Sequence, residues 1–187
     1  MLLKKTNAVL GLLSSIALLL HMWYNCFAYL TFYYNPNLTK WTSLPFIILT
    51  CGHAVCGMCS VFLMGDGTRL DLYPAKNRKT ILQRVSAALI FPLLIVHLKT
   101  FDALKVNAES GRWWMFALML ILQLIFYAVV TLHTAVSFSK ACITLGMITD
   151  EKKLKILERI VWCVFGISFL AVTIGVTRGE LLMFIMK

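Results

Sequence analysis

Four histidines occur in the chain, His21, His53, His97 and His133, and each lies inside a separate apolar stretch. The segments between those stretches carry none. An imidazole in hydrocarbon is costly and needs a partner, so an ionisable residue there is by default a functional candidate. One such histidine alone is ordinarily a hydrogen-bonded packing residue or a proton relay. Four of four, one per stretch, point to a shared task. Two imidazoles on facing helices of a bundle can hold a haem iron from both sides. Two such sites stacked across a bilayer would make an electron path. Zinc fits less well, because neither level offers the carboxylates or cysteines that would complete a tetrahedron. Cys51, Cys56 and Cys59 lie close together, but one helix cannot wrap a cluster and no second cysteine pair faces them. They are expected to pack as small apolar side chains, as are Cys26, Cys142 and Cys163.

The elements that must position these histidines are written in the composition. Of 187 residues, 60% are hydrophobic and only 14% charged, and the mean hydropathy is +0.81. A soluble chain of this length cannot enclose so much apolar surface. An integral membrane protein fits, with little mass outside the bilayer and no separate catalytic domain. The net charge of +10 sits at the ends of the apolar stretches. It therefore reads as a topology signal and as contact with anionic lipid or an acidic partner, not as a nucleic-acid surface. The opening MLLKKTNAVLGLLSSIALLL has the basic-then-apolar form of a signal peptide, but the apolar run continues past His21 without a small-residue cleavage site. A retained first span is expected.

Five transmembrane helices follow, at about 6–33, 44–64, 81–104, 113–147 and 160–176, forming one all-α transmembrane domain that spans residues 1–187. Asn35-Pro36-Asn37 is expected to end the first span, because proline cannot continue a helix, and residues up to Ser43 to form a loop. Gly65-Asp66-Gly67 should stop the second, and Pro92 should kink the third. Residues 105–112 and 149–159 read as loops, and LLMFIMK as a short tail. With five alternating spans, twelve Lys and Arg fall on the N-terminal side and six on the other, which places the N-terminus in the cytoplasm.

Depth, at 1.5 Å per helical residue, pairs the histidines. His21 lies about 24 Å beyond Lys5, and His97 about 20 Å beyond Arg84. His133 lies about 10 Å before Lys140, and His53 about 20 Å before Asp66. The pairing with least conflict is His53 with His133 toward the cytoplasm, and His21 with His97 toward the outside. Gly57 and Ser137 stand one turn after His53 and His133, leaving room for a flat macrocycle. Asn25 and Phe101 stand at the same offset from His21 and His97. A haem also needs cations for its propionates: Arg84 and Lys140 lie near the inner interface, and Lys99 and Arg112 near the outer one.

Three stretches carry a resemblance: LPFIILTCGHAVCGM, LQRVSAALIFPLLIVHLKTF and LHTAVSFSKACITLGMITDEKKLKILERI. LLLHMWYNCFAYL agrees more loosely. Together they resemble the cytochrome b subunit of succinate dehydrogenase/fumarate reductase in its five-span, two-haem form. The chain departs from that pattern at Ser86-Ala87, where Ser-Gly is frequent, and at Ser137, where glycine is common. The resemblance implies two haems b, an inner one on His53 and His133 and an outer one on His21 and His97. It implies a multi-pass protein of the bacterial cytoplasmic membrane. On its cytoplasmic face an iron–sulfur subunit would dock, itself bound to a flavoprotein that carries the dicarboxylate site. Electrons would pass between that subunit and a quinone, expected to be menaquinone. A quinone site needs a proton donor and a hydrogen bond to a carbonyl oxygen. Asn35, Lys99 and Asp102 are candidates near the outer pair, and Ser86 and Arg84 resemble residues used by related enzymes near the inner one.

Two other functions stand beside this one. The anchor cytochrome of a quinone-linked hydrogenase or formate dehydrogenase has four core spans and often two histidines on one helix, whereas no span here has two. A small proton-relay transporter should bury acidic residues among its spans, and Asp102 is the nearest case.

Overall fold

The computed structural model describes residues 2–64 and 74–186. They form five helices and, among the described residues, no strand: α1 Leu2–Thr31, α2 Pro36–Met64, α3 Pro74–Glu109, α4 Trp113–Thr144 and α5 Glu151–Ile185. Each is long and apolar enough to cross a membrane. The expected stop at Gly65-Asp66-Gly67, and Arg69 after it, lie outside the described residues.

Helix ends differ from the expected ones, and local chemistry explains why. Asn35-Pro36 does not open a loop. The Asn35 side-chain oxygen accepts from the main-chain N–H groups of Asn37 and Leu38 at 3.0 and 3.3 Å. It caps α2, and Pro36 takes the first helical position, where its missing N–H costs nothing. The reversal is completed at Phe32, which adopts φ 56°. The stretch 105–112 is not a loop either, since α3 runs to Glu109 and the turn is made at Gly111, with φ 65°. At the far end of α4, Gly146 N–H donates to the Ile143 carbonyl and Met147 N–H to the Cys142 carbonyl, both at 3.0 Å. With Gly146 at φ 73°, this is a Schellman stop, so α4 ends at Thr144 instead of Met147. The basic stretch 149–159 is helical from Glu151, capped by Asp150, whose carboxylate accepts from Lys152 N–H at 2.7 Å. The final residues continue α5 and are not a separate tail.

The core is built by α1, α4 and α5. Leu18, Met22 and Cys26 meet Phe126, Val130, Phe165, Val172 and Val176 there. A second cluster, Leu104, Phe116 and Leu120 with Phe184, closes the end of the bundle opposite the N-terminus. α2 packs on α1 alone, and α3 packs chiefly on α4. The chain is thus two antiparallel hairpins, α1–α2 and α3–α4, joined along α1–α4 and braced by α5. The membrane-length stretch of α2 buries no residue. Total exposed surface is 11623 Å², against about 9,100 Å² for a soluble monomer of 21.2 kDa. Leucine and isoleucine dominate the large apolar side chains that are exposed, as an outer surface facing lipid requires.

Candidate functional site: two histidine pairs between the hairpins

His53 on α2 and His133 on α4 face each other, with ring centroids 6.3 Å apart and planes inclined at 62°. Each is held by the other helix of its own hairpin. The His53 Nδ1–H donates to the Asn7 carbonyl of α1 at 3.0 Å. The His133 Nδ1–H donates to the Gln83 carbonyl of α3 at 3.1 Å, with Ser86 Oγ also 3.1 Å away. A carbonyl oxygen can only accept, so both rings carry their proton on Nδ1 and keep the Nε2 lone pair. That is the tautomer a metal-binding histidine adopts when its second nitrogen is anchored to a carbonyl.

The other two histidines, His21 on α1 and His97 on α3, line one cavity at the opposite level, of about 540 Å³, together with Met22, Tyr29, Phe46, Phe101, Phe126 and Tyr127 among others. That volume falls within the roughly 300–1,000 Å³ typical of ligand sites. His97 stacks on Phe126 at 4.7 Å and meets Phe101 edge-on at 5.5 Å. Its Nδ1 lies 2.6 Å from the side-chain amide of Gln123 on α4. Gln123 is fully buried, and its Oε1 otherwise lacks a partner. Turned with that oxygen toward the ring, the amide accepts the His97 Nδ1–H. His21 stacks on Phe46 at 5.8 Å, and its Nδ1 lies 3.3 Å from Ser43 Oγ of α2. The Ser43 proton goes to the Thr39 carbonyl at 2.6 Å, which leaves the hydroxyl oxygen to accept from His21. Asn25 sits 3.3 Å from both ring nitrogens and makes its shorter bond, 2.7 Å, to the His21 carbonyl.

One pattern therefore repeats. Every histidine is anchored within its own hairpin, and each pair is formed across hairpins. Each pair also joins two helices whose backbones do not pack on each other, α2 with α4 and α1 with α3. A metal ion takes an imidazole nitrogen at about 2 Å. Two such bonds on opposite sides of one ion put the nitrogens about 4 Å apart and the ring centroids about 6 Å apart, the separation between His53 and His133. Among the described residues no three His, Cys, Asp or Glu side chains come together as a metal-binding group. The donor sets are thus pairs of imidazoles. A porphyrin iron needs no more, because its other four bonds come from the macrocycle. Asn7 Oδ1, Ser60 Oγ and Ser137 Oγ are buried without a partner and belong to the three helices around the inner pair. The residues at the inner level fit a haem by their separation, and at the outer level His21 and His97 share one cavity.

Of the cations expected to meet propionates, Lys140 reaches across to α3, donating to Thr80 Oγ1 at 2.9 Å and Gln83 Oε1 at 3.1 Å. Arg84 is half-buried nearby on α3, while Lys99 and Arg112 are exposed, Arg112 turning to Ser110 at 2.9 Å. Among the quinone candidates, Ser86 is buried against His133. Asn35 is a helix cap that also exchanges bonds with the Tyr24 hydroxyl, and Asp102 is exposed.

The acidic residue that is buried among the spans is not Asp102 but Glu180 of α5, 5% exposed and accepting from the Tyr29 hydroxyl at 2.6 Å. In the sequence, Arg178-Gly179-Glu180 reads as the charged end of a span. The signal that separates the two charges is Gly179: a side chain there would come 2.5 Å from the Tyr29 ring, so the tyrosine lies against the α5 backbone beside Glu180. Arg178 turns the other way, over Phe32 at 5.8 Å. Tyr29 lines the cavity and so sets a proton-bearing pair at its wall. No family model, no curated protein and no solved structure matches this chain.

Proposed function

We propose that the chain is a membrane-anchor cytochrome b that carries electrons between a peripheral iron–sulfur subunit and a quinone, as in succinate dehydrogenase/fumarate reductase. One observation supports this above the rest. Four histidines form two pairs, and each pair bridges helices that stand apart while every ring is anchored through Nδ1 or stacked on an aromatic neighbour. His53 and His133 would hold one haem b, and His21 and His97 the other. Bound there, haem iron supplies one-electron transfer. The protein's own part is to fix four imidazoles, to keep water from His21 and His97 with Phe46, Phe101 and Phe126, and to hold polar groups at the level of each pair. Lys140 and Arg84 would meet inner propionates.

The partners follow from the resemblance and from the charge. Lys152, Lys153, Lys155 and Arg159 crowd the start of α5 and would face an iron–sulfur subunit in the bacterial cytoplasm, which in turn binds the flavoprotein. The quinone, read as menaquinone, would take its protons from groups such as the Tyr29–Glu180 pair beside the outer cavity. The chain holds no dicarboxylate site of its own on this reading.

A second reading, a proton-relay transporter, is favoured by the buried Glu180 alone. The two are separated by a reduced-minus-oxidised optical spectrum of the purified chain with pyridine haemochrome quantitation. The cytochrome reading expects about two haems b per chain. It expects about one after His53→Ala or His133→Ala, and about one, spectrally distinct, after His21→Ala or His97→Ala. A folded preparation that takes up no haem overturns it.

A further inference from the structure

At the inner pair, the backbone of α1 comes close to His53 at a residue with no side chain. Gly11 of α1 lies beside the His53 ring. A methyl group there would sit 3.0 Å from Cε1 and 3.1 Å from Nδ1, well inside the ~3.5–4.0 Å at which such atoms pack. One turn earlier on the same face, the Asn7 carbonyl takes the His53 Nδ1–H at 3.0 Å. The Gly11 carbonyl is itself occupied, accepting from Ser14 Oγ at 3.0 Å and Ser15 Oγ at 2.7 Å. The serines keep that carbonyl engaged along α1, so the ring is offered Asn7 as its acceptor. Among the described residues the α2 backbone packs on α1 alone, so the contacts with α1, this one included, set how far His53 stands from His133.

We propose that Gly11 is a positioning residue for the inner site: the space left by its missing side chain, together with the Asn7 carbonyl, fixes the depth and tautomer of the His53 imidazole. The inference rests on the bis-histidine reading and adds a residue on a helix that supplies no inner ligand. A glycine inside a helix is less favourable than alanine and needs a packing reason. At Gly166 on α5 a side chain would meet nothing within 4 Å. The two glycines therefore form a matched test, one crowded by a histidine and one open.

The experiment compares full-length wild type, Gly11→Ala, Gly11→Leu and Gly166→Leu, each purified in detergent and loaded with haem b. Haem content and the low-spin electron paramagnetic resonance spectrum are recorded, since the latter reports the mutual orientation of the two imidazoles. Gly11→Ala is expected to retain both haems while shifting the inner signal and leaving the outer one in place. Gly11→Leu is expected to fall from about two haems per chain to about one, and Gly166→Leu to match wild type. Wild-type spectra in both Gly11 variants overturn the role of Gly11 and leave the bis-histidine reading standing. Equal loss of both haems in Gly11→Leu, with an unshifted spectrum in Gly11→Ala, also overturns it, as a general folding defect. A wild type without haem overturns the reading beneath.

Discussion

At the residue scale the difference between a packing histidine and a ligand is which nitrogen is left over. Backbone carbonyls claim Nδ1 of His53 and His133, and a buried glutamine claims that of His97. These partners orient the rings, and removing such an outer group typically weakens a metal site 10–100-fold. Gln123→Leu, which keeps the volume and removes the amide, is expected to weaken retention of the outer haem by about that factor and to leave the inner one unchanged. Haem titration with the two sites resolved spectrally checks this, and equal weakening at both sites would count against it. Glu180 is a separate case. Its carboxyl is buried and its hydrogen-bond donor is Tyr29. Tyr29→Phe leaves that carboxyl unpaired and is expected to cost about 1–3 kcal/mol, read from chemical unfolding in detergent. A loss under about 0.5 kcal/mol would mean that water or another group already satisfies Glu180. The expected histidine pairing rested on depth together with the small residues one turn after His53 and His133, because depth alone sets His53 level with His97. Glu180 was not legible in the sequence, because a charged residue at a span end looks the same whether it snorkels or turns inward.

At the element scale, five helices could be read directly from five apolar stretches, and their ends could not. Apolar runs mark what the bilayer covers, whereas caps mark where the backbone stops, and the two differ by up to nine residues at the ends of α2 and α5. Asn35-Pro36 shows the ambiguity, since the same dipeptide can stop one helix or start the next. What decided it is the asparagine side chain bonding forward to Asn37 and Leu38. Asp150 does the same for α5, carrying Lys152, Lys153 and Lys155 into its first two turns. Asp150→Ala is expected to destabilise the chain by about 0.5–2 kcal/mol. The accompanying fraying should be visible as faster amide exchange confined to residues near the start of α5. Unchanged exchange there would show that the terminus is held by tertiary contacts such as the 2.9 Å Lys79–Glu158 ion pair instead of by its cap.

At the scale of the whole molecule, the arrangement of helices and the arrangement of histidines are complementary. α1, α4 and α5 make a core that is closed by side chains. α2 stands outside it, its backbone packed on α1 alone among the described residues, and it meets α4 through His53 against His133. Apolar packing between helices gains nothing over apolar packing against lipid, so in the absence of a ligand little holds α2 in register with α4. A group that binds both imidazoles would supply that link and would stabilise the folded chain by about 2.7 kcal/mol per site at a free concentration of 100 times its Kd. Loading with haem is therefore expected to raise the unfolding midpoint. It should also narrow the distribution of distances between labels on α2 and α4, measured with the six free cysteines replaced and one label placed on each helix. Labels on α4 and α5 serve as the reference, because those helices pack directly on each other and should report the same distance with and without haem. A narrowing on both pairs would indicate general tightening of the bundle. No narrowing on either would mean that α2 is already fixed by α1, and that the gap between the hairpins is a permanent feature of the fold.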